Sequence, residues 1–269
     1  MCKLQLLSIN SKLSKSIKLY GDSILTAGLF LAPHKLSGRN VCPFSGHCAQ
    51  ACVMEFAGRQ VTAPVRNAQI RRTKLYFENR TEFFDQWYDD IDRLLRKAER
   101  ETKTLYVRNN GASDLDFSKW ADEFPQVEFY DYTKRPDFIR RKLSGDWPTN
   151  YALTYSYSER ADMGLLVDYL ESGGNVSVIF DTEYNPQARK VGQLPDFVEL
   201  VNHDHKRFPI IDGDLHDLRH PRFDGRGRIV GLRFKGSRKR LADAISAGMV
   251  ISAERPIITA DQIGVKIAA

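Results

Sequence analysis

From residue 104 onward, short apolar runs alternate with helical patterns at a spacing of about 25 residues, the rhythm of repeated βα units. Strands are predicted at 104–108, 127–132, 151–157, 176–181, 208–212 and 229–234, with a short last one at 249–252. Helical patterns fall at 117–124, 137–143, 161–171, 195–202 and 237–247. Gly173-Gly174 and Gly248 supply C-terminal stops. Upstream, residues 25–32 read as a buried strand halted by Pro33. Residues 63–79 form a helical pattern with Pro64 in its first turn. A second helix is predicted over 82–101 with Thr81 as cap. Its Phe83, Phe84, Trp87, Tyr88, Ile91, Leu94 and Leu95 recur at i, i+3, i+4 and read as core.

No glycine-rich dinucleotide or phosphate loop follows any of these strands. The expected architecture is therefore α/β: a partial or complete βα (TIM-like) barrel with a mainly parallel sheet. It is expected to form one domain over residues 25–269, behind an N-terminal extension at 1–24. In such a barrel chemistry collects at the carboxyl ends of the strands. Asn109, Asn110 and Ser113, then Tyr155 and Ser156, then Asp181 stand at those ends. They are candidate binding residues, although any one polar strand end is usually a solvated turn.

The most concentrated chemistry lies between the first strand and the first long helix. Cys42, Cys48 and Cys52 fall within eleven residues, spaced C-x5-C-x3-C around Pro43 and Gly46. Thiolates are soft ligands that select zinc, copper(I) or iron–sulfur clusters. Zinc usually draws on a second cysteine pair far downstream, and the sequence has none. The odd number of clustered thiols argues against a disulfide. The expectation is that the three bind one iron–sulfur cluster, with the bland alternative of three ordinary buried thiols. Cys2, the fourth cysteine, is expected to be incidental.

Charge adds a polarity to this picture. Residues 1–80 carry 12 Lys and Arg against 3 Asp and Glu, whereas the whole chain is only +6. The excess surrounds the cysteines, with Arg59, Arg66, Arg71, Arg72 and Lys74 on or near one helix. A polyanion contact through residues 59–74 is expected, against the alternative of a solvated basic face. No apolar run approaches the roughly 20 residues that span a bilayer, and residues 1–18 lack the apolar segment of a secretory signal. A cytoplasmic protein with reduced thiols and no membrane contact is expected.

A first strand, a three-cysteine loop and a train of βα units resemble the radical S-adenosylmethionine enzymes. That resemblance implies a 4Fe–4S cluster held by three cysteines, its fourth iron open to S-adenosylmethionine. It implies Asn109, Asn110 and Ser113 near the cofactor's amino group, and Tyr155 or Ser156 near its ribose. The usual spacing there is C-x3-C-x2-C with an aromatic before the last cysteine, where this chain has Ala51. The chain also resembles small bacteriophage proteins with an Asn-Ser-Lys-Leu stretch (here 10–13) and a Cys-Pro start to the cysteine loop, which implies the host cytoplasm.

Three functions follow: a radical enzyme acting on an unknown small-molecule or nucleic-acid substrate, a non-catalytic iron–sulfur protein, and a zinc-containing nucleic-acid-binding module. His203, His205, His216 and His220, interleaved with Asp204, Asp212, Asp214 and Asp217, form a second metal candidate whose alternative is a polar loop. Asp212 and His216 are acid/base candidates if the strand at 208–212 ends in the pocket. The absence of a G-x-S-x-G elbow excludes the usual serine hydrolase layout.

Overall fold

The computed structural model describes residues 4–9, 19–56, 62–182, 184–185 and 190–259. Its strands are β1 (Leu7–Ser8), β2 (Ile24–Leu29), β3 (Thr104–Arg108), β4 (Val127–Thr133), β5 (Tyr151–Ser156), β6 (Asn175–Phe180), β7 (Tyr184–Asn185), β8 (Lys190–Val191), β9 (Phe197–Leu200), β10 (Lys206–Asp212), β11 (Ile229–Arg233), β12 (Val250–Ile251) and β13 (Ile257–Ile258). Its helices are α1 (Val53–Phe56), α2 (Ala63–Glu78), α3 (Arg80–Arg100), α4 (Ser118–Ala121), α5 (Pro136–Leu143), α6 (Met163–Glu171), α7 (Pro221–Asp224) and α8 (Arg238–Ser246).

The sheet is open, which corrects the expected TIM-like barrel. Its order is β1-β2-β3-β4-β5-β6-β11-β10-β9-β13, with β12 joined to β6. From β2 to β10 every neighbouring pair is parallel. Two physical features keep it from closing. The outer edge of β2 is occupied by β1, which pairs antiparallel with it. At the other end β9 runs antiparallel to β10 and breaks the βα rhythm. Residues 195–202, expected as a helix, contain β9 because their apolar residues alternate: Val198 and Leu200 are buried, Phe197 and Glu199 less so. The chain turns back through Asp204 and His205, both at positive φ. β7 and β8 form a separate two-stranded ribbon.

Consecutive parallel neighbours joined by right-handed crossovers place their helices on one face. That face carries Leu25, Ala27 and Leu29, Leu105 and Val107, Val127 and Phe129, Tyr151 and Leu153, and Val176 and Val178, all in one core. Helix α3 supplies Phe83, Phe84, Trp87, Ile91, Leu94 and Leu95 to it. Each fully buried side chain of this size contributes about 1.5–3 kcal/mol. The α3 N-cap is Asn79 and not Thr81: its side chain accepts from Glu82 N at 3.2 Å, and its amide donates to Glu82 Oε2 at 2.8 Å. A carboxylate at the third helical position makes this reciprocal cap possible. The N-terminal stretch is bound to the same helix, because Leu6 N and Leu7 N donate to Asp90 Oδ2 at 2.7 and 2.9 Å.

Trp87 is fully buried among Phe84, Phe117, Phe124 and Phe129, and its indole N–H donates to Asn109 Oδ1 at 3.0 Å. Trp87→Phe is expected to lower stability by about 1–3 kcal/mol, because it leaves a void and an unpaired amide oxygen. Urea unfolding reads this as a lower midpoint at unchanged slope. A midpoint equal to wild type would mean that Asn109 is held by other contacts.

The opposite face is different in kind. Period-2 alternation and the strand registers place Thr26, Tyr106, Arg108, Tyr130, Tyr132, Thr154, Ser156 and Ser177 there. Its lower part is covered by Tyr20, Leu218 and Phe223, which pack on Ile24, Tyr106, Tyr130 and Ala152.

Candidate functional site

The cysteine loop leaves β2 at the carboxyl edge of the parallel sheet and stays there. Gly111 N donates to Leu29 O at 3.0 Å, and Asp114 N to Val41 O at 2.8 Å, so the loop after β3 clasps the approach to Cys42. Cys42 Sγ donates to Ala112 O at 3.5 Å. Beyond β4, the Arg135 guanidinium lies 5.8 Å from the Phe44 ring centroid. Beyond β5, Glu159 Oε1 accepts from His47 N at 2.8 Å. Cys48 and Ala51 pack against the buried cluster of Phe234, Ala244, Met249 and Val250, which Ile179 of β6 also joins. One loop thus touches residues on or just beyond five strands.

Its local folding follows from small turns. Ser45 N bonds to Cys42 O at 3.1 Å and Cys48 N to Ser45 O at 2.9 Å. Cys52 O accepts from Glu55 N and Phe56 N at 3.0 and 3.1 Å, so Cys52 opens α1. Gly46 sits at φ +52°, and a Cβ there would fall 2.0 Å from Glu159 Oε1. Only glycine lets the turn press so closely on that carboxylate.

All three thiols are half-buried and free of disulfides. Burial pushes Cys42 up to about 12, and the charges of Asp114, Cys48 and Cys52 add to that. Burial, then the charge of Cys48, pushes Cys52 up to about 11. Cys48 is therefore near enough to act on both of the other thiols. Among the described residues, no group of three or more His, Cys, Asp or Glu side chains is disposed as a metal site. Cys2 and Arg59 lie outside the described residues.

The strand-end candidates are brought to the same edge, but most are engaged with protein. Asn109 receives the Trp87 indole. Asn110 N and Nδ2 donate to Asp131 at 2.7 and 2.9 Å, while its Oδ1 accepts from Ser113 Oγ at 2.7 Å and Leu115 N at 2.9 Å. Tyr155 is buried in the helix-covered core. Ser156 Oγ accepts from Ser177 Oγ at 3.1 Å on the polar face. Asp181 Oδ1 accepts from Ala253 N at 2.7 Å.

The His/Asp stretch separates into unconnected pieces. His205 lies 2.8 Å from Glu199 on the β9–β10 turn. Asp212 and Asp214 hold Arg233, and Asp214 also holds Lys235. His220 caps α7 through Arg222 N at 3.2 Å. His216 is buried between Tyr20, at 2.6 Å from Nε2, and Arg219, at 2.8 Å from Nδ1. Burial and the Arg219 charge push its pKa down to about 4. Since Arg219 donates to Nδ1, the neutral ring carries its proton on Nε2 and donates to Tyr20. This arrangement pins a surface segment and has no open ligand position.

Of the basic helix, Arg66 donates to Glu55 O at 2.6 Å and Arg72 to Gln5 O at 3.1 Å, while Arg71 and Lys74 are exposed. Two of its cations thus tie loops together and two face solvent.

Glu159, buried beneath the loop with Oε2 unpaired, and Tyr132, stacked with Arg108 on the polar face, read in sequence only as two more polar strand ends and were not singled out, and Arg108 was given no role. The signal for the second pair was present: Tyr106 and Arg108 alternate with Leu105 and Val107, and Tyr130 and Tyr132 share one parity, in strands that a doubly covered parallel sheet would fill throughout with apolar residues.

Among described residues no helix is long and apolar enough to cross a membrane. No curated protein and no solved structure matches the chain. The profile of the bacteriophage-type family described as Gene product 88 matches residues 4–252, from just before β1 to the end of β12 and one residue beyond, and the chain belongs to that family.

Proposed function

We propose that this is an iron–sulfur protein in which Cys42, Cys48 and Cys52 hold one 4Fe–4S cluster at the carboxyl edge of the sheet. One observation carries the reading: three half-buried thiols on one eleven-residue loop, with the charge of Cys48 helping to raise the pKa of both Cys42 and Cys52. Iron is a soft-ligand metal whose binding releases the thiol protons and offsets their mutual repulsion as thiolates. The loop's central turn, Gly46–Ala49, has no buried residue, so it can draw inward around a cluster without opening the core.

Three cysteines leave one iron without a thiolate. In the leading form of the proposal that iron takes S-adenosylmethionine and the protein is a radical enzyme. Supporting it are the loop's place at the strand ends and the polar sheet face beneath it. The chemistry supplied would be reductive cleavage of the sulfonium. The chain's own part is to hold the cluster, exclude water through Phe44, Ile179 and Phe234, and offer the polar face to a substrate.

A second reading has its own observation. Glu159 is buried under Gly46 and His47 with one carboxylate oxygen unpaired. A carboxylate there suits a fully protein-ligated cluster with a structural or electron-transfer role.

Anaerobic calorimetry with S-adenosylmethionine on reconstituted protein, then dithionite reduction and assay of 5′-deoxyadenosine, separates them. Binding with cleavage is expected. Absence of binding in wild type, with binding gained in Glu159→Ala, would move the assignment to the second reading.

A further inference from the structure

Arg108 ends β3 on the polar face, half-buried, its guanidinium 4.9 Å from the Tyr132 ring centroid. Among the described residues it makes no ion pair, and its Nε is buried without a hydrogen-bond partner. A guanidinium removed from water without a counter-ion is costly, even with a ring stacked on one side.

Its neighbours repeat the pattern. Thr26 and Tyr130 are fully buried on the same face, on the strands flanking β3, and both hydroxyls lack partners. Arg219, buried above them, spends Nη1 on Asp224 and Nη2 on His216 but leaves Nε unpaired. Both arginines lie within electrostatic reach of Tyr130 and Tyr132. The unpaired set thus consists of two obligate donors and two hydroxyls able to donate. Three carboxylates are also in reach, Asp217, Asp224 and, from the helix-covered side of β4, Asp131. The second is the counter-ion of Arg219; its free oxygen is the one unpaired acceptor nearby, and the Arg219–Asp224 pair is neutral as a whole.

We propose that the polar face of the sheet binds a small anionic ligand, a phosphate or carboxylate group held by Arg108 against Tyr132 and completed by Thr26, Tyr130 and Arg219. These unpaired donors outnumber the one free carboxylate oxygen, Asp224 Oδ2, and call for an oxyanion, which accepts several hydrogen bonds at once and neutralises the guanidinium. The half exposure of Arg108 and Tyr132 gives the ligand a way in. Higher on the same face come Ser156 and Ser177, then Ile179, which packs on the same cluster as Cys48, so the rest of such a ligand would extend toward the cysteine loop. The inference does not depend on what the cysteines hold.

The test uses the full chain in chloride buffer at constant ionic strength, titrated with inorganic phosphate, pyrophosphate or acetate. Melting temperature and calorimetry are the readouts. At least one anion is expected to raise the melting temperature saturably, the phosphates or the acetate identifying the headgroup. Arg108→Gln should weaken that binding by roughly tenfold or more without lowering the anion-free melting temperature, because it removes a partly buried charge that makes no ion pair. Tyr130→Phe keeps the ring packing and removes only the hydroxyl; it should weaken binding several-fold and decides the matter if Arg108→Gln fails to fold. No saturable response in wild type, or one unchanged in Tyr130→Phe and in whatever Arg108→Gln folds, would overturn the proposal.

Discussion

Replacing Cys42, Cys48 or Cys52 singly with Ala is expected to remove iron and acid-labile sulfide together from the reconstituted protein, along with absorbance near 400 nm. The expectation is cooperative loss because a cluster shared by three thiolates is one object. Removing a ligand exposes an iron to solvent and the inorganic sulfide goes with it. Metal binding and loop closure are coupled, so each ligand's share of the binding free energy is lost with the closed loop. Three independent incidental thiols would behave otherwise: each variant would lower total thiol content and leave bound iron unchanged. Full iron retention in all three variants would falsify the cluster. Zinc gives a third outcome, a colourless protein holding metal without sulfide. Cys2→Ser is the control, expected to keep its iron. Loss as complete as in Cys48→Ser would make Cys2 the fourth ligand and leave no iron open for a cofactor.

How far the sequence could be read depended on whether the deciding interaction was local. Helix α3 was legible because its apolar stripe is written at i, i+3, i+4 spacing and needs no partner to be seen. Parallel strands β3 to β6 were legible for a similar reason: each is bounded by its own turn and helix signals. Closure of the sheet was not legible. It turned on β1 claiming the edge of β2 and on β9 reversing against β10, both pairings between segments whose own sequences do not name a partner. At the site, the position of the cysteine loop was legible from its place after the first parallel strand, since every such strand ends at one edge. The work of Asn109, Asn110 and Ser113 was not. A polar residue at a strand end serves a ligand or the scaffold equally well in sequence, and here Trp87 engages Asn109, Asp131 and Leu115 engage Asn110, and Ser113 donates to Asn110. Arg108 was missed for the opposite reason, because a basic residue closing a strand reads as a solvated end until the register shows what shares its face.

Asp131→Ala is expected to cost about 3–5 kcal/mol and to loosen the cysteine loop. Asp131 is fully buried at the centre of β4, on the helix-covered face. It accepts from Asn110 N at 2.7 Å, Asn110 Nδ2 at 2.9 Å and Tyr151 OH at 2.5 Å. The carboxyl therefore ties β5 to the loop after β3, whose Ala112 O and Asp114 N meet Cys42 and Val41. Removing it strands three buried donors, each worth about 1–3 kcal/mol when unpaired, with partial relief by relaxation. Burial pushes the Asp131 pKa up to about 7, against hydrogen bonds from Tyr151 and Asn110 that pull it down. A carboxyl whose folded pKa is raised binds its proton more tightly in the folded state. Its stabilisation is thus complete below the unfolded value near 3.8 and is lost as pH rises through about 7. The deficit of Asp131→Ala relative to wild type should accordingly be larger at pH 5 than at pH 8. Asp131→Asn keeps one acceptor and cannot ionise, so it should cost less than the alanine at pH 5 and make no contribution of its own to the slope. Urea unfolding at the two pH values measures both quantities. A wild-type advantage over Asp131→Asn that grows from pH 5 to pH 8 would mean that the carboxylate is the form the three donors hold.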